Sequence, residues 1–216
     1  EISLGLVGSE MCIRDREGIV LGIMGGILYG CTGYLKSIKK GRLEDFDILK
    51  FCLKLTKNQK EAVEMSIYMR EPWTLQFFKK GMKGREFIVN TMLGSKLAIP
   101  GLIGEIFLEE ERELSRVYEG ILRCISNGKN KPTEIASSLF SRKLISKDTP
   151  TAVQQYIVNL SRIGLIERLN IFGKRGSLYK HISPVFEFYF YLDEKYDFSE
   201  KELGKKFIIK VLDQML

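Results

Sequence analysis

Between Thr149 and Gly164, five residues recur at helical spacing on one side of the chain: Thr151, Gln154, Gln155, Val158 and Arg162. Hydroxyl, amide and guanidinium groups at such steps suit the edges of bases. Glutamine pairs bidentately with adenine, and arginine with guanine or with phosphate. Farther along, Lys174 and Arg175 occupy the glycine-flanked stretch Gly173-Lys174-Arg175-Gly176-Ser177, with Lys180 just beyond. Cations there can reach phosphates or an adjacent groove. Residues 118–182 hold 11 basic and 4 acidic side chains, a balance of +7, against 16 and 13 in residues 17–117 and 5 and 7 in residues 183–216. A concentrated positive field favours polyanions such as double-stranded DNA, although it serves equally as a solvated surface. Val158 at the centre of the outward face, and the lack of Lys or Arg in its first two turns, also suit a module that docks a partner protein or inhibits its own chain.

Other chemistries find less material. Glu109, Glu110, Glu111 and Glu113 are four carboxylates in one short run. Acidic residues at a helix start follow from its dipole alone, so a solvated face is expected and no metal ligands are assigned. His181 is the only histidine, which argues against a histidine metal site or a Ser/His triad, and its place in an extended stretch points to packing or surface. Cys31, Cys52 and Cys124 are far apart, without CxxC spacing, as expected of small apolar residues in a reduced cytoplasm. No GxxxxGK[ST] sequence occurs, and Gly128-Lys129-Asn130-Lys131-Pro132-Thr133 lacks the first glycine and the preceding strand. Nothing in the chain therefore cradles the terminal phosphates of a nucleotide or holds magnesium, and no catalytic residue and no cofactor is assigned to it.

The elements that must position the first set read as a winged helix-turn-helix from Tyr118 to Ile182. A first helix carries Leu114, Val117, Tyr118, Ile121, Leu122 and Ile125 on one face and ends at Asn127-Gly128, a left-handed cap. A second turns Ile135, Ala136 and Leu139 inward. A third starts at Thr149-Pro150, buries Val153, Tyr156, Ile157, Leu160 and Ile163, and stops at Gly164. Leu165 to Phe172 and Leu178 to Ile182 then read as a hairpin with a basic tip, the wing.

Residues 1–16, EISLGLVGSEMCIRDR, resemble a translated sequencing adapter and are set aside as no structured domain, so the chain is expected to be a fragment of a longer protein. Gly18 to Leu35 is an uncharged run with Gly18, Gly22, Gly26 and Gly30 at four-residue steps. It is a candidate membrane helix, yet six glycines leave it weakly apolar and shorter than the roughly 20 residues of a span, so a soluble element without a membrane is preferred. Residues 43–100 read as helical, with one stripe from Leu43, Phe46, Leu49 and Leu53 and another from Ala62, Met65, Tyr68 and Met69. Glu71-Pro72 breaks the pattern, Ala98-Ile99-Pro100-Gly101 reads as a turn, and an acidic helix is expected from Glu105 to Arg116. The resulting fold class is mainly α: a helical lid-like domain over 17–107, a winged helix-turn-helix with a small β-hairpin wing over 108–184, and a C-terminal helix in 185–216 that starts a further, truncated domain. Leu203, Phe207, Ile208, Val211, Leu212 and Met215 are expected on one face of that helix.

Several stretches resemble one family. GEIFLEEERELSRVYEGIL, EIASSLFSRKLI, NLSRIGLIERL and above all SPVFEFYFYLDEKYDFSE look like the C-terminal half of the archaeal ATPase family, in the signal-transduction branch of the AAA-type P-loop ATPases. The likeness covers roughly Glu17 to Glu200. Gly30-Cys31-Thr32-Gly33-Tyr34-Leu35 resembles the family's GGxPxYL turn at the entry to the lid, with Thr32 in place of the proline. The resemblance implies a helical lid followed by a winged helix, with the ATPase core, which takes ATP and magnesium, in the missing upstream part of the full-length parent. On that reading this chain is the lid and winged-helix part of an ATP-dependent switch, its partners being DNA, a partner protein or its own ATPase domain. The alternative is a stand-alone winged-helix transcriptional regulator.

Overall fold

The computed structural model describes residues 45–79, 81–106, 112–171, 173 and 176–215. The adapter-like start, the glycine run Gly18–Leu35, Glu109, Glu110, Glu111, Lys174 and Arg175 lie outside them, as do the side chains of Glu113 and Leu114. The described residues are mainly helical, with nine α-helices, one 3-10 helix and one two-stranded sheet. None of these helices is long and apolar enough to cross a membrane. They fall into two compact units.

The first unit comprises residues up to Gly94 together with Ile208–Gln214. Helices α1 (Asp45–Leu55) and α2 (Gln59–Met69) pack on each other. Asn58 starts α2 by accepting the Glu61 N–H, as an N-cap should. Ala62, Met65, Tyr68 and Met69 are buried, as their spacing requires. The stripe expected on α1 is corrected: Ile48 and Cys52 face inward, Leu49 is half-buried and Leu53 is exposed. Phe51 and Leu55 are exposed too, so apolar residues lie on more than one face and periodicity alone does not choose between them. The Cys52 thiol, against Met69 Sδ at 3.6 Å, is pushed up to about 11 by burial. Pro72 opens the 3-10 helix Pro72–Phe77. Helix α3 (Gly84–Ser95) begins where the Gly84 N–H meets the Glu61 carboxylate at 2.5 Å. Arg85 grips Glu64 with two bonds of 3.0 and 3.1 Å and also pairs with Asp213. Asp213 belongs to the last helix, α9 (Lys205–Met215), which buries Ile208, Val211 and Leu212. Of the face expected there, Phe207 and Met215 are exposed.

The second unit runs from Ser95 to Phe207. Helix α4 (Ala98–Ile106) stands where a turn was expected at Ala98–Gly101. Pro100 lies within the first turn, where its missing N–H costs no hydrogen bond, so it is tolerated inside the helix. Of the helix expected from Glu105 to Arg116, Glu105 and Ile106 lie in α4 and residues 112–116 in the next helix, while residues 107–111 lie outside the described residues. Helices α5 (Arg112–Ser126), α6 (Pro132–Ser141) and α7 (Pro150–Ile163) follow, then β1 (Ile166–Asn170), β2 (Ser177–His181) and α8 (Pro184–Tyr196). Val117, Tyr118, Ile121, Leu122 and Ile125 of α5 meet Ile135, Ala136 and Leu139 of α6 and Val153, Ile157 and Leu160 of α7 in one core. Helix α5 ends on Gly128 at φ +83°, with Gly128 N–H on the Ile125 carbonyl and Lys129 N–H on that of Cys124, the paired bonds of a glycine C-cap. A Cβ on Gly120 would stand 2.6 Å from Leu139 Cδ2, so glycine lets α6 approach α5 this closely.

The domain that the sequence reading begins at residue 185 is part of this core. Helix α8 packs on α5 and β2, burying Val185, Phe186, Phe188, Tyr189, Phe190 and Leu192. The second unit already includes Lys96, which donates to the Lys201 carbonyl at 2.9 Å and stands over the Phe198 ring. Charge reinforces the α5–α8 contact. Arg123 meets Asp193 at 2.7 Å, and Asp193 also accepts the Ser199 N–H at 2.8 Å.

Candidate nucleic-acid interface

Helix α7 is made by local signals. Thr149 is extended, Pro150 supplies a pre-set first helical residue without a needed donor, and Gly164 closes the helix at φ +87°. The buried Val153, Ile157 and Leu160 fix its rotation. Tyr156 and Ile163, expected inward, are only half-buried because they flank that stripe. The opposite face is open: Thr151, Gln154, Gln155, Val158 and Arg162 are all exposed, Val158 by 47%. The structure thus brings together the five residues of the helical set.

Within that face the polar groups differ. Thr151 Oγ1 is 3.0 Å from Thr149 Oγ1 at the helix start. The Gln155 amide donates to Asn159 Oδ1 at 3.1 Å, and the Asn159 amide donates to the Tyr118 hydroxyl at 2.7 Å. The Tyr118 ring is buried and meets Tyr156 edge-on, centroids 5.2 Å apart. Asn159 was missed by the sequence reading, although its position four residues after Gln155 is the spacing at which helical side chains touch.

The hairpin β1–β2 is antiparallel, with Ile166 opposite His181 and Leu169 opposite Leu178. Strand β1 is shorter than the stretch read from Leu165 to Phe172, and β2 is shifted by one residue from Leu178–Ile182; Leu165 and Ile182 meet through a single backbone bond outside the ladder. Lys180 does not stand as a free cation. It lies opposite Glu167 across the strands and meets its carboxylate at 2.9 Å. A cross-strand pair of this kind brings opposite charges together on one face of the sheet, and it offsets the charge that Lys180 was expected to offer. Arg168, also missed, is exposed and donates to Ser177 Oγ at 2.5 Å. Alternation along β1 places it on the face opposite Glu167.

The local positive balance is likewise reduced. Arg123 is paired with Asp193 and Arg142 with Glu194, while the pair Lys131–Glu134 is already within the counted balance. Asp193 and Glu194 come from α8, beyond the stretch over which the balance was counted. Lys143, Lys147 and Arg162 are exposed and have no ion pair among the described residues.

Among the described residues no group of three His, Cys, Asp or Glu side chains could hold a metal ion. His181 and Ser126 do meet, at 2.8 Å, but both are buried and share the Leu122 carbonyl, to which the imidazole Nε2–H and the serine hydroxyl donate. This is core packing, completed by the Phe190 ring stacked on the imidazole. No protein-family model, curated protein or solved structure matches the chain.

Proposed function

We propose that residues 108–184 form a winged helix that presents α7 to the major groove of double-stranded DNA. The observation that carries this reading is the exposed face of α7, where two amides, a hydroxyl and a guanidinium project from a helix held by its buried side. The order helix, helix, helix, hairpin is that of a winged helix, with the tip residues Lys174 and Arg175 placed by sequence to reach phosphates.

The likeness of SPVFEFYFYLDEKYDFSE and its companion stretches to the archaeal ATPase family supports a wider reading. In it the chain is the lid and winged-helix part of a cytoplasmic ATP-dependent switch protein, and the ATPase core of the full-length parent binds ATP and magnesium. Nucleotide binding there re-docks the winged helix and exposes or hides α7. This chain itself is then no enzyme. A titration of ATP and magnesium into it is expected to give no saturable heat, because no lysine-bearing phosphate loop is present in the sequence. One-to-one micromolar binding would overturn that assignment.

The DNA reading is tested by titrating duplex DNA at several salt concentrations. Each phosphate neutralised contributes about 0.9 to the slope of log affinity against log salt. Replacing Lys174 and Arg175 with alanine is expected to lower the slope by about 1.8 for every sequence. If the unaltered chain shows no salt-dependent affinity for duplex, a protein-docking module takes its place. Exposed Val158 and the neutralised Lys180 favour that second reading.

A further inference from the structure

We propose that Asn159 and Tyr118 are positioning residues that hold Gln155 as a reader of adenine, so that the bound duplex carries an A·T pair opposite α7. The inference rests on the DNA-binding reading above. Gln155 is exposed, yet its amide is not left to rotate: it is tied to Asn159, which is tied to a tyrosine hydroxyl whose ring is 1% exposed. The chain of bonds leads from the open face of α7 into the core on α5. Its neighbour Gln154 has no side-chain hydrogen bond among the described residues. Ordering a glutamine side chain costs rotamer freedom, a cost that the tether meets before any ligand arrives.

The tether also selects what Gln155 can pair with. A glutamine amide has two N–H donors and one acceptor oxygen. One N–H is engaged by Asn159, which leaves one donor and one acceptor facing outward. In the major groove adenine shows an acceptor, N7, beside a donor, the N6 amino group. The match is complete: Oε1 accepts from N6 and the remaining N–H donates to N7. Guanine shows two acceptors, N7 and O6, which call for two donors. A tethered Gln155 has only one.

The test uses the full chain and the duplex it enriches from a random pool, with each A·T pair exchanged in turn for G·C. At one position the unaltered chain is expected to prefer A·T by about tenfold or more. Gln155→Ala should abolish that preference and leave the slope of affinity against salt unchanged. Asn159→Ala and Tyr118→Phe should each reduce it several-fold, again with an unchanged slope, whereas Asn159→Asp, which keeps an acceptor for the Gln155 amide, should retain it. Thermal unfolding of each variant confirms that it is folded. If Gln155→Ala, or both Asn159→Ala and Tyr118→Phe, discriminate as the unaltered chain does, the inference is overturned while the DNA reading stands. If the unaltered chain binds no duplex, the DNA reading falls and takes this inference with it.

Discussion

Replacing Asp193 with alanine is expected to destabilise the second unit by about 3 kcal/mol, read as a drop in the urea midpoint at constant slope. Asp193 is 4% exposed and carries two obligations at once. One oxygen is 2.7 Å from the Arg123 guanidinium, and the other accepts the Ser199 N–H in the turn beyond α8. Removing one partner of such a pair leaves the other charge without compensation in a poorly solvated place, which costs about 3–5 kcal/mol when both are buried. Arg123 is about one-third exposed, so the lower end applies. Glu119, 3.9 Å away on the same helix, gives little relief, because burial pushes its carboxyl above the usual range and only partly yields to Arg123. Asp193→Asn keeps an acceptor for Ser199 and loses the charge, so it should fall about midway. In a double variant with Arg123→Met the orphaned guanidinium is gone, and the combined loss should be well below the sum of the two. An Asp193→Ala midpoint equal to that of the unaltered chain would refute this account of how α8 is held.

That contact shows where sequence reading stops. The ends of α5 and α7 were legible, because Gly128, Gly164 and Pro150 act within one turn of chain and need no partner to do so. The outward face of α7 was legible for the same reason: its buried stripe fixes the opposite side. Asp193 and Glu194 lie 52 or more residues from the arginines they meet, Arg123 and Arg142, and no local pattern announces those pairs. As a result the charge balance was counted over too short a stretch, and α8 was assigned to another domain. The hairpin was found, but the pairing of Lys180 with Glu167 depends on the register, which a loop of several residues leaves open. Pro100 misled because proline marks both a break and a first turn, and the burial of Ile99 and Ile103 decides between them.

His181 gives the second large effect, a loss of stability on acidification. Its imidazole is 4% exposed, stacked on Phe190, with Nε2 committed to Ser126 and the Leu122 carbonyl. Nδ1 is buried and has no hydrogen-bond partner among the described residues. Protonation would place a charge there without an acceptor, and burial accordingly holds the imidazole at about 4, below its ordinary 6.5, although the Leu122 carbonyl pulls the other way. Between those values the unfolded chain carries the proton and the folded chain does not. The stability that His181 contributes is therefore complete above pH 6.5, declines as the pH falls, and is gone near pH 4. The interval corresponds to about 3 kcal/mol. Glu119 and Glu187 act in the opposite direction, since burial raises both, and they keep the raw pH profile from reporting histidine alone. The control is His181→Phe, which preserves the stacking partner of Phe190 and leaves Ser126 its own bond to Leu122. The difference in unfolding free energy between the unaltered chain and this variant should fall by about 3 kcal/mol from pH 7 to pH 4. A difference that stays constant over that range would show that the imidazole titrates alike in the folded and unfolded chain, and would remove His181 from the buried position assigned to it.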